Sequence, residues 1–218
     1  MADRVDVKSL IVVPAVITLF VTLLRLTGEL LNWSPALFNP AAGGGGALVG
    51  IAWLVPIFGF YFGWKLASAG ERPAGLGPSI GYPLLGGVLL PAAGFAATIL
   101  GVPQNSLSLF AVFVVFSIIG AIVAFRGWPV LGRILVLYGL AARIPVIVVM
   151  FLAILGSWGT HYDVPPPGFP EMGPIARWVA IGVVPQLTIW IWYTVVLGGV
   201  FGGLAAALAG RTRRPATA

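Results

Sequence analysis

Three charged residues sit where a charge is expensive. Arg25 and Glu29 lie toward the end of one long apolar run, and Arg143 lies well inside another. Arg143 is fourteen residues past Pro129, roughly 20 Å along a helix axis at about 1.5 Å per residue. That depth is past the middle of a hydrocarbon core of about 30 Å. A cation there costs roughly 3 kcal/mol or more unless it is paired or hydrated, so it should face the inside of a bundle. Arg25 and Glu29 are four apart, which places them on one helical face. The spacing predicts a buried Arg25, Glu29 and Arg143 cluster with a net positive charge. Such a cluster could be completed by an anion or a polar headgroup, or it could only set helix register.

A second group is His161, Asp163 and Glu171, in a stretch that also holds Pro165, Pro166, Pro167 and Pro170. These residue types could ligate a metal, but their spacing matches no zinc motif. Consecutive prolines favour an extended or mobile segment, with solvated polar residues on it. A third group is Gly77-Pro78-Ser79-Ile80-Gly81, which has the G-x-S-x-G form of a hydrolase nucleophile elbow. That chemistry needs a base beside the serine. The chain has one histidine, His161, and the topology derived below puts it on the other side of a membrane from Ser79. There is no cysteine for thiolate catalysis or disulfides. No phosphate loop, paired-histidine zinc helix or dinucleotide fingerprint is present, and no cofactor is predicted.

The elements that must position these residues are membrane helices. Of 218 residues only 8% are charged and 59% are hydrophobic, with a mean hydropathy of +1.04. A soluble domain carries about 25% charged residues, so water cannot be the main solvent here. Six apolar runs predict an all-α bundle of six transmembrane helices at about 9–31, 47–66, 80–101, 107–125, 129–156 and 177–209. Together they form a single domain over 1–210, with a basic tail at 211–218. Nine of twelve basic residues fall beside alternate gaps: Arg4, Lys8, Lys65, Arg72, Arg126, Arg133, Arg211, Arg213 and Arg214. The positive-inside rule then puts both termini in the cytoplasm. The net charge of +6 is thereby explained without nucleic acid, whose binding would gather the cations on one soluble face. The expected location is a cytoplasmic membrane of bacterial type, with the lipid bilayer as the main partner.

Five spans hold an interior proline: Pro14, Pro56, Pro91, Pro145 and Pro185. Each removes a backbone donor, and such breaks can frame a site. Pro185 predicts either a kink in a long sixth helix or a separate interfacial or re-entrant piece over 174–184. The first outer loop holds Pro35, Pro40 and glycines 43–46 and should be flexible. Gly59 and Gly63, and the interleaved pairs Gly198/Gly202 and Gly199/Gly203, are small residues four apart that let helix backbones approach closely. They could serve packing within the chain, a homo-oligomer or a partner in a membrane complex.

Three function classes follow. The buried charges favour a small transport protein or a solute- or lipid-binding membrane protein. The alternative is a non-catalytic subunit or assembly factor of a larger membrane complex. A lipid-modifying membrane enzyme is the weakest reading, because too few catalytic groups fall on one side.

Overall fold

A computed structural model describes residues 6–104 and 106–211. The expected basic tail therefore lies outside the described residues, apart from the backbone of Arg211. The chain is all-helical, with 74% of it in helix and no strand among the described residues. Six helical stretches are long and apolar enough to cross a membrane.

Helix α1 is Val7–Leu30. Asp6 opens it, its carboxylate accepting from the Lys8 amide at 3.1 Å, which satisfies one of the donors a helix start leaves free. Helix α2 is Leu54–Ser68, preceded by a tight turn at Ile51–Trp53. It begins later than the apolar run that starts at Ala47, because glycines interrupt that run. Gly46 has φ +78° and Gly50 is fully extended. Pro56 consequently falls in the first turn of α2, where its missing N–H leaves no bond unmade. It is not the interior break the sequence suggested.

Helix α3 is Leu76–Ile99 and carries two interior prolines, Pro83 and Pro91. It starts before residue 80 because Pro78 sits in its first turn, where a donor is not needed. Helix α4 is Leu107–Phe125, capped by the Ser106 hydroxyl accepting from the Leu109 amide at 3.1 Å. Helix α5, Pro129–Gly156, is the longest unbroken helix, with proline at its first position.

The sixth stretch, Pro174–Ala209, is one helical path with a damaged first half. Helix α6, Pro174–Arg177, widens into a π turn at Trp178–Val183. Helix α7, Val184–Leu187, follows, and Thr188 is distorted to φ −118° before α8, Ile189–Arg211, begins. Pro185 has no N–H to give to the turn before it, and a widened turn is a common way to absorb that loss. The stretch is thus a continuous but interrupted helical path, with its breaks at the π turn and at Thr188.

Helix α8 is the hub, packing against α2, α3, α4 and α5. Its glycines do this from two ridges. Gly198 meets Gly59 and Gly202 meets Gly63, so close that a Cβ on either α2 glycine would overlap the α8 backbone. On the other ridge a Cβ at Gly199 would lie 2.9 Å from Pro83, and one at Gly203 2.8 Å from Ile80. All six glycines singled out in the sequence thus pack within the chain. Gly86 and Gly120 make a further backbone contact between α3 and α4, sealed by the Trp192 indole donating to the Gly86 carbonyl at 2.9 Å. The core between these helices is dense, with Phe62, Leu131, Leu135 and Tyr138 almost fully buried. The outside is apolar as well, with Phe20 65% and Phe95 69% exposed, as expected of a bundle whose solvent is hydrocarbon.

Candidate functional site

Helices α1 and α5 pack side by side and fix the levels of the charged residues. The Thr18 hydroxyl meets the Tyr138 hydroxyl at 2.9 Å. Counting from that contact, Arg25 is seven residues farther along α1 and Glu29 eleven, while Arg143 is five farther along α5. At about 1.5 Å per residue, Arg25 lies near the level of Arg143, and Glu29 lies about 9 Å beyond it.

Glu29 therefore serves Arg25 and not Arg143, a correction to the expected three-residue cluster. The Arg25 Nε donates to Glu29 Oε1 at 2.8 Å, and both side chains are buried. The Arg25 Nη2 also donates to the carbonyls of Asn39 at 3.1 Å and Gly44 at 3.0 Å. Gly44 has φ +71°, a conformation glycine adopts freely, and it lies between Arg25 and His161. The first loop, expected to be flexible, is thus fastened to a buried cation.

The third loop, residues 157–173 between α5 and α6, is also built inward. The His161 amide donates to Glu29 Oε2 at 2.9 Å, and its ring Nδ1 meets Glu29 Oε1 at 2.6 Å. Burial holds the imidazole below its ordinary pKa, against the opposing pull of the Glu29 carboxylate; because a carboxylate oxygen can only accept, the proton of this contact sits on Nδ1. Tyr162 is 3% exposed and donates its hydroxyl to the Thr22 carbonyl at 3.2 Å; burial pushes that phenol well above its usual range. Asp163 accepts from the amides of Gly159 at 2.9 Å and Thr160 at 2.7 Å, closing its own turn. Glu171 is exposed. His161, Asp163 and Glu171 therefore do not converge: the histidine is committed to Glu29, the aspartate to its turn, and the glutamate to solvent.

Arg143 is 4% exposed. Its Nη1 makes one long bond, 3.3 Å to Gln186 Oε1, and its Nε has no partner. The Trp190 ring covers the guanidinium at 4.3 Å, a cation–π contact. Among the described residues no carboxylate lies within ion-pair distance of it. Gln186 and Trp190 reach Arg143 because the sixth stretch is broken at Pro185 and Thr188, which turns these side chains toward α5. The sequence signal for Gln186 was an amide beside proline in an apolar run. Trp190, Trp192 and Tyr193, too deep for an interfacial belt, are explained by inward contacts, with the Tyr193 hydroxyl 3.5 Å from the Ala52 carbonyl.

Between these groups lies a cavity of about 610 Å³. Arg143 and Arg25 both line it, and among the described residues no carboxylate does. Apolar residues make most of its wall: Phe110 and Phe113 from α4, Val146 and Met150 from α5, Ile181 and Ile189 from the sixth stretch. Pro166 and Phe169 of the third loop lie at its loop end. The spans part here because α1, α4, α5 and the broken helix offer branched and aromatic side chains in place of glycine.

Ser79 is buried at the opposite end of the bundle, its hydroxyl donating to the Leu76 carbonyl at 2.9 Å. His161 lies beyond the far end of α5, out of reach of Ser79. No family model, curated protein or solved structure matches this chain.

Proposed function

We propose that the chain is a multi-pass membrane protein that binds, and on that basis transports or presents, an organic anion in the cavity beside Arg143. One observation carries this: among the described residues, a large and mostly apolar cavity is lined by two arginines and no carboxylate, and one of the arginines, Arg143, has no ion-pair partner. A buried cation without a counter-charge is costly, and an anionic ligand would offset that cost. Polar groups converging in a well-formed, mostly apolar cavity are the default mark of a binding site. The basic residues Lys65, Arg72, Arg126 and Arg133 lie at the opposite end of the bundle, which argues for a cavity on the outer side of a cytoplasmic membrane with both termini inside.

The glycine ridges pack against the chain's own helices, so they do not favour the reading as a subunit of a larger complex over the binding one. The Thr160 hydroxyl does meet a carboxylate, that of Asp163 at 2.7 Å, but both residues are buried and the pair closes its own turn, which favours a binding reading over an enzymatic one.

Thermal unfolding of the purified chain in detergent tests the proposal. Carboxylic acids from butyrate to laurate should raise the melting temperature, as any ligand of the folded state does. Their primary amides should not, and Arg143→Gln should remove the effect. Equal shifts with acids and amides would sink the reading.

A further inference from the structure

Resting on the anion-binding reading, we propose that the ligand is a single-chain acidic amphiphile, with its carboxylate or phosphate head on Arg143 and its hydrocarbon chain extending under the proline-rich loop. The two arginines of the cavity are not equivalent. Arg25 already has Glu29 and two backbone carbonyls, so its charge is balanced. Arg143 has one long bond, an unpartnered Nε and an aromatic ring over one face. The Trp190 ring leaves the edge of the guanidinium as the place for an acceptor. Carboxylate and phosphate oxygens suit that edge, since they take the planar fork of an arginine in paired hydrogen bonds.

The rest of the cavity does not suit a small hydrated ion. From the level of Arg143 toward the loops its wall is Phe110, Phe113, Ile181 and Met150, and Phe169 lies at the loop end. A hydrocarbon chain matches that surface, whereas phosphate or acetate alone would leave it facing water. The volume of about 610 Å³ lies within the roughly 300–1,000 Å³ of sites that enclose one small ligand. A single chain suits that volume better than the two chains of a phospholipid. The ligand would then sit with its head deep in the bundle and its tail toward the loops, opposite to the lipids of the surrounding leaflet.

Photolabelling tests this on the full chain in nanodiscs of a zwitterionic lipid. The probe is lauric acid with a diazirine at its chain end, and labelled peptides are mapped by mass spectrometry. Label is expected on the third loop around Phe169 and on α4 around Phe110. Unlabelled laurate or dodecyl phosphate should compete it at least ten-fold, the stronger competitor naming the head. Dodecanol should not compete, and neither should acetate or inorganic phosphate. Competition by acetate or phosphate as strong as by laurate would overturn the single-chain assignment while leaving an anion site at Arg143. Competition by dodecanol as strong as by laurate would overturn the acidic head, and the anion-binding reading with it. Label confined to outward residues such as Phe20 and Phe95 would also overturn the proposal. These arms use the unaltered protein, so they stand even if Arg143→Gln does not fold. Where that variant folds, it should lose the cavity label at least ten-fold, and Arg143→Lys should keep part of it. Unchanged label in folded Arg143→Gln would overturn the placement of the head.

Discussion

Between Tyr138 and the start of α5 the helices touch backbone to backbone, through Gly59 with Gly198 and Gly63 with Gly202. Between Tyr138 and the loops, helices of the same bundle stand apart around a cavity of about 610 Å³. The difference comes from side-chain size and helix continuity. One half is drawn together by glycine on regular helices. The other is held open by aromatic and branched residues on a helix broken at Pro185, and its polar groups are fastened in place of close packing. Close packing and the cavity are thus separated along the length of one bundle. The open half can hold Arg143 without an ion-pair partner among the described residues because the far half supplies the packing.

The sharpest way to break this comparison is Glu29→Gln. It removes the counter-charge of Arg25 and turns one of the two oxygens that serve Arg25 and His161 into a donor. Breaking one side of a buried pair costs about 3–5 kcal/mol, so a large fall in the thermal midpoint in detergent is expected. A midpoint within a degree of the parent would show that the fastening of the loops is incidental.

Next in size, and opposite in sign, is Arg143→Leu. Removing a buried charge and filling its place with an apolar residue should stabilise the fold by roughly 1–4 kcal/mol while abolishing ligand-induced stabilisation. Loss of stability would mean that Arg143 is structural and has partners it does not make here.

Gly59→Ala should cost roughly 1–3 kcal/mol, the range for overpacking a tight core, because its Cβ would meet the Gly198 backbone. Ala180→Val on the cavity wall adds more volume yet should stay within about 0.5 kcal/mol, as a change into open space does. Equal costs at the two positions would remove the distinction between the halves.

The smallest effect is that of pH. The folded state holds the His161 imidazole below its ordinary pKa of about 6.5, so the unfolded chain binds its proton first as pH falls. Its contribution is complete above about pH 6.5 and declines as pH drops toward the lower folded value. The groups around the ring are Glu29, Arg25, Tyr162 and Asp163. Since the chain has one histidine, His161→Gln should flatten the midpoint between pH 7 and pH 5.5.

Several features could be read from residues alone because they depend on local chemistry. The nineteen uncharged residues of α4 and the proline that opens α5 mark their own limits. Glycines four apart mark close approach, and a lone arginine in an apolar run must turn inward wherever its helix lies. The start of α2 was less legible, since Ala47, Leu48 and Val49 are apolar enough to continue a helix. Only the fold uses Gly46 and Gly50 to turn that segment over the cavity. The third loop misleads for a related reason: its prolines describe backbone stiffness, not the reach of His161 and Tyr162 into the bundle.

Composition and spacing by themselves determined that this chain is helical, carries six stretches able to cross a membrane, and buries Arg25, Glu29 and Arg143. Those properties follow from transfer free energies, which each residue carries with it. Only the tertiary structure decided which charge meets which. Pairing depends on helix register to within a turn, and register is set by contacts such as Thr18 with Tyr138 and Tyr162 with Thr22, between residues more than a hundred positions apart. An offset of about 9 Å between parallel helices gave Glu29 to Arg25 and His161 and left Arg143 alone with Gln186 and Trp190.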